Sequence, residues 1–373
     1  MAAYSVGGIE SVRSQGHDYL VLVTAQTQGE EAAYCVPVHM RDGHWAGCRL
    51  QPRSPARWTV ADLAAGMGGF AHAAHAMGGQ VVWACDMAQR AVDVYNAAVR
   101  AGGPMAGGAQ AVRACIEDRQ HWGRMGGVDV ITAGIPCQAF SGAGQERGFL
   151  DPRGRVVWHL LDLCSAVRPA FVVIECVWGF FGAAEWYGPV REAFEAMGYY
   201  ASLRQEVAER LVPQKRRRGI LTLTRGDVRR DMDRRGDLAA YEVRTPEVRP
   251  TIATAGVMGP DPPPGDRLYL TPGQVEVYSP LTYRAQSWPW ASYTRLPGPG
   301  DICPTVMESY GMAQRFWGGK GGVHGFFRRV GERFRFLSPE ELCVVQGFPW
   351  GTPMPGRIED AWGLIGNAVP PPV

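Results

Sequence analysis

The stretch Trp58-Thr-Val-Ala-Asp-Leu-Ala-Ala-Gly-Met-Gly-Gly-Phe70 places a strand-like run directly before a glycine-rich turn. Its first half is apolar and partly β-branched, as in a buried strand, and the residues after Phe70 are typical of a helix. A second strand-like run at 81–85 precedes another helical stretch at 91–99. This alternation of strands and helices predicts an α/β fold with a doubly wound, mostly parallel sheet.

The glycines of this turn, together with an acidic residue after the second strand, indicate a site for an adenosine-containing ligand. Glycines allow the backbone to approach the ligand closely, and the acid takes the ribose hydroxyls. Gly66, Gly68, Gly69 and Asp86 fill these places. Dehydrogenases and methyltransferases share the pattern, but a Gly-Met-Gly-Gly turn in place of Gly-x-Gly-x-x-Gly disfavours a nicotinamide enzyme.

A third strand-like run, 128–132, leads into Ala133-Gly-Ile-Pro-Cys-Gln-Ala-Phe-Ser-Gly-Ala-Gly144, and a fourth run, 171–174, ends on Glu175. Ligands of open α/β sheets bind at the carboxyl ends of the strands. A reactive cysteine needs a partly exposed, electropositive or amide-rich setting in which its thiolate is stable. Cys137 stands in such a position. It is alternatively a buried small hydrophobe, as most free cysteines are, and this stretch alone leaves both interpretations open.

The composition argues against several classes of protein. A chain of 373 residues is long enough for one large domain and a smaller one. Its nine cysteines form no Cys-x-x-Cys pair, which argues against a structural metal site and a disulfide framework. The N-terminus lacks a basic patch before an apolar core, and no stretch approaches about 18 uninterrupted apolar residues. We therefore expect a soluble intracellular protein with no metal and no membrane segment.

The charge pattern gives weak evidence for a nucleic-acid partner. A net charge of +2 is too small to argue for one by itself. Arginine carries almost all the positive charge, concentrated at 215–218 and 225–235, and arginine favours planar contacts to phosphates and base edges. Aspartates interleave the second cluster, so we interpret that cluster as a solvated helix face.

Changes in composition and residue pattern along the chain predict four segments. Residues 1–55 form an extension of unknown role with two strand-like runs, 19–24 and 34–38. Residues 56–225 form the α/β domain, 226–330 a small loop-rich second domain marked by Pro, Gly, Tyr and Trp, and 331–373 a return segment completing the first domain. In the return segment, Ser338 and Glu341 predict a capping box at the start of a helix.

In their order along the chain, these segments resemble the DNA cytosine C5-methyltransferase family, from about residue 58 to residue 370. Several separate motifs carry the resemblance. They are Asp62 to Phe70, Pro136-Cys-Gln138 with Phe140 and Ser141, Gly148-Phe-Leu-Asp-Pro-Arg-Gly154, Glu175-Cys-Val177, Gln214-Lys-Arg-Arg-Arg218, Pro304-Thr-Val306, Gln346-Gly-Phe-Pro349 and Gly366-Asn-Ala-Val-Pro370.

The resemblance implies that 56–225, completed by 331–373, is the catalytic domain that binds S-adenosylmethionine and that 226–330 is the target recognition domain. It also implies a catalytic role for four residues. Methylating C5 requires a thiolate to add at C6, and Cys137 would supply it. Glu175 would stabilise or protonate N3 as charge builds there. Arg218 would hold the cytosine O2 and orient Glu175, and Arg216 would help to fix the loop and the phosphates.

The resemblance also implies S-adenosylmethionine as cofactor and a monomer acting on double-stranded DNA, with the target base flipped out of the duplex. The residues expected at the cofactor are Asp62, Gly66, Gly68, Gly69, Phe70, Asp86, Pro136 and Asn367. Arg244, Arg249, Arg284 and Arg295 are unranked candidates for base contacts in the major groove. By resemblance, one further helix is expected after Val373.

Four positions depart from the family pattern: Ala64, Met87, Cys115 and Cys176. The first three affect the expected adenine and ribose contacts, with Glu117 or Asp118 as substitutes for an expected aspartate, and Cys176 replaces an asparagine beside Glu175. Ala64, Met87 and Cys115 keep open a non-catalytic nucleic-acid-binding relative that has lost its cofactor. A tRNA cytosine-5 methyltransferase is the other alternative. A cysteine hydrolase is rejected because no histidine sits in a comparable motif.

Overall fold

The computed structural model describes residues 6–14, 17–27, 30–37, 58–141, 146–235, 257, 259–272, 302–308, 310, 313–315, 321–323 and 327–372. The strands are β1 Val6–Ser14, β2 His17–Thr27, β3 Glu30–Pro37, β4 Thr59–Leu63, β5 Gln80–Asp86, β6 Ala111–Arg113, β7 Val130–Gly134, β8 Phe171–Val177, β9 Tyr199–Val207, β10 Arg217–Arg225, β11 Ala313–Arg315, β12 Gly321–Val323, β13 Phe327–Val330 and β14 Arg333–Phe336. The α-helices are α1 Gly69–Ala76, α2 Gln89–Arg100, α3 Val156–Val167, α4 Trp178–Gly182, α5 Ala184–Ala196, α6 Gly226–Arg235, α7 Pro339–Val345 and α8 Ile358–Asn367.

A seven-stranded sheet in the order β6-β5-β4-β7-β8-β10-β9 forms the centre of the molecule. The first five strands are parallel, and β10 runs antiparallel between β8 and β9. Neighbouring residues of β4 belong to two different clusters, since Val60 packs with α1 and α2 whereas Ala61 packs with α3 and α5. Both faces of the sheet are thus covered, which confirms the doubly wound, mostly parallel α/β fold.

The sheet brings the expected site elements to one edge. The parallel register pairs Asp62 with Thr132 and Gly134 with Glu175, so the ends of β4, β7 and β8 lie side by side. The strand expected to end on Glu175 instead continues to Val177, because antiparallel pairing with β10 extends the ladder. Glu175 therefore stands within a paired strand rather than at its end.

Several elements lie outside the sequence prediction. Strands β1, β6 and β9 and helices α3 and α5 are present in addition to those expected, and Pro189 stands inside α5. The charged run after Arg225 is a helix, α6, and Ser338 and Glu341 form the predicted capping box at the start of α7. Strands β1, β2 and β3 form a separate antiparallel sheet within the N-terminal extension.

Helices α7 and α8 and strands β13 and β14 share a third cluster of buried side chains, which includes Met67 and Ala91 of the catalytic region. The end of the chain therefore packs against the start of the catalytic region. Among the helices of the described ranges, none has both the length and the apolar character that crossing a membrane requires.

Candidate active site

The loop that carries Cys137 lies across the end of β8. The Ile135 N–H donates to the Glu175 carbonyl at 3.1 Å, and the Phe140 N–H closes a turn onto the Cys137 carbonyl at 3.0 Å. A Cβ at Gly179 would lie 2.6 Å from the Phe140 carbonyl oxygen. This contact leaves room only for glycine, because the loop rests directly on α4.

Glu175 and Arg218 form a nearly buried ion pair beside this loop. Arg218 Nε lies 2.9 Å from Glu175 Oε1, with side-chain exposures of 11% and 8%. Burial raises the pKa of the Cys137 thiol, the positive charges of Arg218 and Arg216 lower it, and the charge of Glu175 raises it. The charges of the four residues named from the sequence therefore act on one another at this loop.

Arg216 is buried, and its terminal nitrogens bind the protein backbone. Its Nη1 donates to the Val306 carbonyl at 3.1 Å, and Nη2 donates to the Ala368 carbonyl at 2.9 Å, with Gly366 at 3.2 Å from Nη1. Burial lowers its pKa to about 9. Through these hydrogen bonds the guanidinium joins Val306 to the end of α8 and the residues after it.

Two glutamines that the sequence prediction did not single out extend this contact. Gln214 donates to Gln346 Oε1 at 2.8 Å, and Gln214 Oε1 accepts from the Val306 N–H at 3.0 Å. Both glutamines are fully buried. Buried side-chain amides need such partners. The available sequence signal was that each glutamine begins one of the motifs quoted above.

The glycine-rich turn is closed by Asp86 from the next strand. Asp86 accepts from the Gly66 N–H at 2.9 Å and from the Ala88 N–H at 2.8 Å. Gly66 has φ +56°, and a Cβ placed on it would meet no other atom within 4 Å. A Cβ placed on Gly69, by contrast, would lie 2.0 Å from the Val369 carbonyl oxygen. The turn thus combines an open cradle at Gly66 with a tight contact to the segment after α8.

The other residues expected at the cofactor surround this turn at different depths. Asp62 is fully buried and accepts from the Thr132 hydroxyl at 2.8 Å, and burial raises its pKa to about 7. Phe70 and Pro136 are half-buried, and Asn367 is exposed at the end of α8. Of these four residues, Asp62 is therefore the one kept from water, and the other three are at least partly accessible to it.

The positions that depart from the family pattern lie in different environments. Met87 is 63% exposed beside Asp86. The Cys115 thiol donates to Glu117 at 3.4 Å, and His159 Nε2 lies 3.1 Å from the same carboxylate group. Cys176 is fully buried. The candidate base-contacting arginines, Arg244, Arg249, Arg284 and Arg295, lie outside the described residues. Within the described ranges, no group of three or more His, Cys, Asp or Glu side chains is arranged to hold a metal ion.

Comparison with known proteins identifies relatives along the chain. Type II methyltransferase M.PspPI from Psychrobacter is 27% identical over 277 residues, covering 66% of this chain and 61% of M.PspPI. M.HhaI from Haemophilus parahaemolyticus is 25% identical over 325 residues, covering 83% and 89%. M.AluI from Cellulosimicrobium cellulans is 31% identical over 153 residues, covering 40% of this chain and 29% of M.AluI. The chain thus spans less than two thirds of M.PspPI and of M.AluI.

Solved structures and a family profile complete the comparison. Schizosaccharomyces pombe (S. pombe) Dnmt2 matches with a TM-score of 0.59 at 17% identity, covering 84% of this chain and 95% of Dnmt2. The Entamoeba histolytica methyltransferase EhMeth matches with a TM-score of 0.60 at 14% identity, covering 84% and 94%. At these identities the likeness shows the fold alone. The profile described as C-5 cytosine-specific DNA methylase matches residues 58–254, more than half of the chain. The chain therefore belongs to the C-5 cytosine-specific DNA methylase family.

Proposed function

We propose that this chain transfers a methyl group from S-adenosylmethionine to C5 of cytosine in DNA, through covalent attack of Cys137 on C6. The observation that carries the proposal is the pocket itself, where a thiol shares a buried site with the Glu175–Arg218 ion pair. The family description, which names DNA, and the Type II methyltransferases among the relatives support DNA as the substrate class.

The residues at the sheet edge fit the cofactor. The space before Gly66 is open, and its positive φ is a conformation that favours glycine. The Asp86 carboxylate stands at the end of the neighbouring strand, where a ribose would reach it. Bound there, S-adenosylmethionine would supply the methyl group. The Gly66 turn and Asp86 would bind the adenosine part, and Pro136 would line the side that faces the nucleophile loop.

The protein's own groups account for the remaining steps. Cys137 as thiolate adds to C6, and the electron pair of the C5–C6 bond makes C5 nucleophilic. Glu175 donates a proton or hydrogen bond at N3, where negative charge develops, and Arg218 holds the Glu175 carboxyl in position. After transfer, loss of the C5 proton expels Cys137. Because C5 and C6 are not accessible for this geometry in a duplex, the base must leave the stack.

The test is incubation with isotopically labelled S-adenosylmethionine and either mixed-sequence duplex DNA or tRNA, followed by digestion and mass spectrometry of the nucleosides. We expect label in 5-methyldeoxycytidine, and none with Cys137→Ser, whose fold is checked by circular dichroism. Label in cytidine instead would move the substrate to tRNA. If no label is found and calorimetric titration detects no cofactor binding, the chain is a non-catalytic relative and the proposal is wrong.

A further inference from the structure

Glu308 makes a contact that the chemistry described above does not use. It follows the Pro304-Thr-Val306 motif by two residues, and its Oε2 accepts from Gln138 Nε2 at 3.1 Å. Gln138 is the residue directly after Cys137, and 170 positions separate the two partners in sequence. We propose that Glu308 is a positioning residue that holds the nucleophile loop, through Gln138, against the segment 302–308. The link to catalysis rests on the proposed function.

The segment 302–308 is itself held firmly to the catalytic domain. The Cys303 N–H donates to the Pro213 carbonyl at 2.7 Å, and the Lys215 N–H donates to the Cys303 carbonyl at 2.8 Å. Val306 is held on both sides, by Gln214 at its N–H and by Arg216 at its carbonyl. Glu308 therefore extends from a rigid backbone, which is what a positioning residue needs.

The same segment also contacts the end of α8. A Cβ at Gly366 would lie 2.2 Å from the Met307 carbonyl carbon, so the two backbones are in direct contact. Arg216 joins Val306 to Gly366 and Ala368. The residues that continue from α8 reach Gly69 of the cofactor turn. A single short segment thus contacts the nucleophile loop on one side and the support of the cofactor turn on the other.

The charges around Glu308 suit this role. Arg153 forms its ion pair with Asp151, which is the largest cause of its raised pKa, and the charges of Glu308 and Cys137 raise that pKa further. Arg153 therefore lies within electrostatic range of both Glu308 and Cys137. The Gln138 side chain is half-buried, and its Oε1 has no hydrogen-bond partner among the described residues. Among the described residues, the hydrogen bond from Nε2 to Glu308 is therefore the contact that orients the Gln138 amide.

The position of Glu308 gives it an indirect effect on the reaction. In the described contacts it meets Gln138 rather than Cys137, so its removal should free the loop without removing a reacting group. By the predicted bounds, Glu308 lies near the end of the recognition domain, residues 226–330, so the loop is held by a residue of that segment.

The experiment compares Glu308→Leu, which removes the acceptor, with Glu308→Gln, which keeps an oxygen acceptor for Gln138. Glu332→Leu, at an exposed position in the turn between β13 and β14, is the matched control. The first readout is the rate at which Cys137 in the free protein reacts with iodoacetamide, followed by peptide mass spectrometry. This readout does not depend on any methyltransferase activity.

We expect Glu308→Leu to change the Cys137 alkylation rate several-fold, with Glu308→Gln and Glu332→Leu close to wild type. Gln138→Leu should reproduce the change, and the double variant Gln138→Leu/Glu308→Leu should add nothing to it, as expected for two residues that act through one contact. Equal alkylation rates in wild type and Glu308→Leu, or additive effects in the double variant, would overturn the inference. Because Glu308→Gln and Gln138→Leu provide independent comparisons, poor folding of one variant does not prevent the test.

The second readout is the rate of covalent capture of a duplex containing 5-fluorodeoxycytidine in the presence of S-adenosylmethionine. We expect Glu308→Leu to slow capture about tenfold, near the lower limit for a hydrogen bond to a charged group, with unchanged dissociation constants for DNA and S-adenosylhomocysteine. If DNA affinity fell by the same factor as the capture rate, Glu308 would have a purely structural role, which would contradict the inference. If wild type captures no DNA while the alkylation rates differ as expected, the proposed function is wrong and the positioning of the loop stands.

Discussion

At the scale of single residues, the candidate site depends on charges that are kept away from water. The Glu175–Arg218 pair is nearly buried, and burial raises the pKa of the neighbouring Cys137 thiol. A buried ion pair tolerates the loss of one partner poorly, because the other charge is left uncompensated. Changes to one member of the pair therefore affect both the chemistry and the local structure, and isosteric substitutions separate these effects best.

Glu175→Gln should strongly impair methyl transfer. The amide occupies the same space, but it does not act as an acid toward N3, and general acid catalysis contributes about 10² to 10⁴ in rate. We expect kcat to fall by at least about a hundredfold, with a circular dichroism spectrum like that of wild type. Single-turnover kinetics with labelled cofactor would measure the effect, and full activity in this variant would remove Glu175 from the acid role.

The raised pKa of Cys137 predicts a pH dependence of the rate. Burial disfavours the charged thiolate, so at pH 7 most of the thiol is protonated and only the small thiolate fraction reacts. As pH rises toward the pKa, that fraction increases about tenfold per pH unit. We expect kcat/KM to rise between pH 7 and pH 9. A rate that is flat over this range would show that the reactive thiol is already ionised.

At the scale of elements, the site is assembled where chain segments cross. The start of α1 meets the segment after α8 at Gly69 and Val369, and the nucleophile loop rests on the start of α4 at Gly179. In both places a glycine permits a backbone contact that a side chain would block. These contacts join elements that are far apart in sequence, so the geometry of the cofactor turn depends on the return segment.

Gly69→Ala should push the start of α1 away from the segment that follows α8. The added Cβ would lie 2.0 Å from the Val369 carbonyl oxygen, so one backbone must move. Overpacking of this kind costs about 1–3 kcal/mol, and we expect both a lower free energy of unfolding and weaker binding of S-adenosylhomocysteine. Gly123→Ala, where a Cβ meets nothing within 4 Å, is the control. Denaturant unfolding and calorimetry would test this, and equal behaviour of the two variants would contradict it.

At the scale of the whole molecule, the two central strands β4 and β7 hold a buried carboxyl group, Asp62, at the middle of the sheet. Burial raises its pKa from 3.8 to about 7. The folded protein therefore binds a proton more tightly than the unfolded chain does. The stability that this proton contributes is fully present below pH 3.8 and is lost progressively as pH rises to about 7.

Asp62→Asn should reduce the pH dependence of stability. The pKa difference corresponds to as much as about 4 kcal/mol, of which about 2 kcal/mol is lost above pH 5.5. We expect the free energy of unfolding of wild type to fall between pH 5.5 and pH 8.5 by more than that of Asp62→Asn, whose amide keeps an acceptor for Thr132. Urea unfolding at the two pH values would measure this. An identical pH dependence in both proteins would show that Asp62 is ionised throughout.

The sequence by itself determined the fold class and the members of the pocket. Alternating hydrophobic runs and glycine turns require a doubly wound sheet because apolar strands must be covered on both faces. The order of the motifs was enough to name Cys137, Glu175 and Arg218, which the structure brings together. Element bounds were less accurate, as at β8, where pairing with β10 rather than local propensity decides how far the strand runs.

Only the tertiary structure decided what several of these residues contact. Arg216 was expected to help fix the loop and the phosphates, and the backbone carbonyls that it binds, 90 to 152 positions away, had no signal in the sequence. The Glu308–Gln138 bond spans 170 positions. Such partners have no local sequence signal, because a hydrogen bond depends on where the backbone places two groups. Hydrophobic periodicity is a property of neighbouring residues and can be read from the chain, whereas polar pairing between distant segments exists only once the chain is folded.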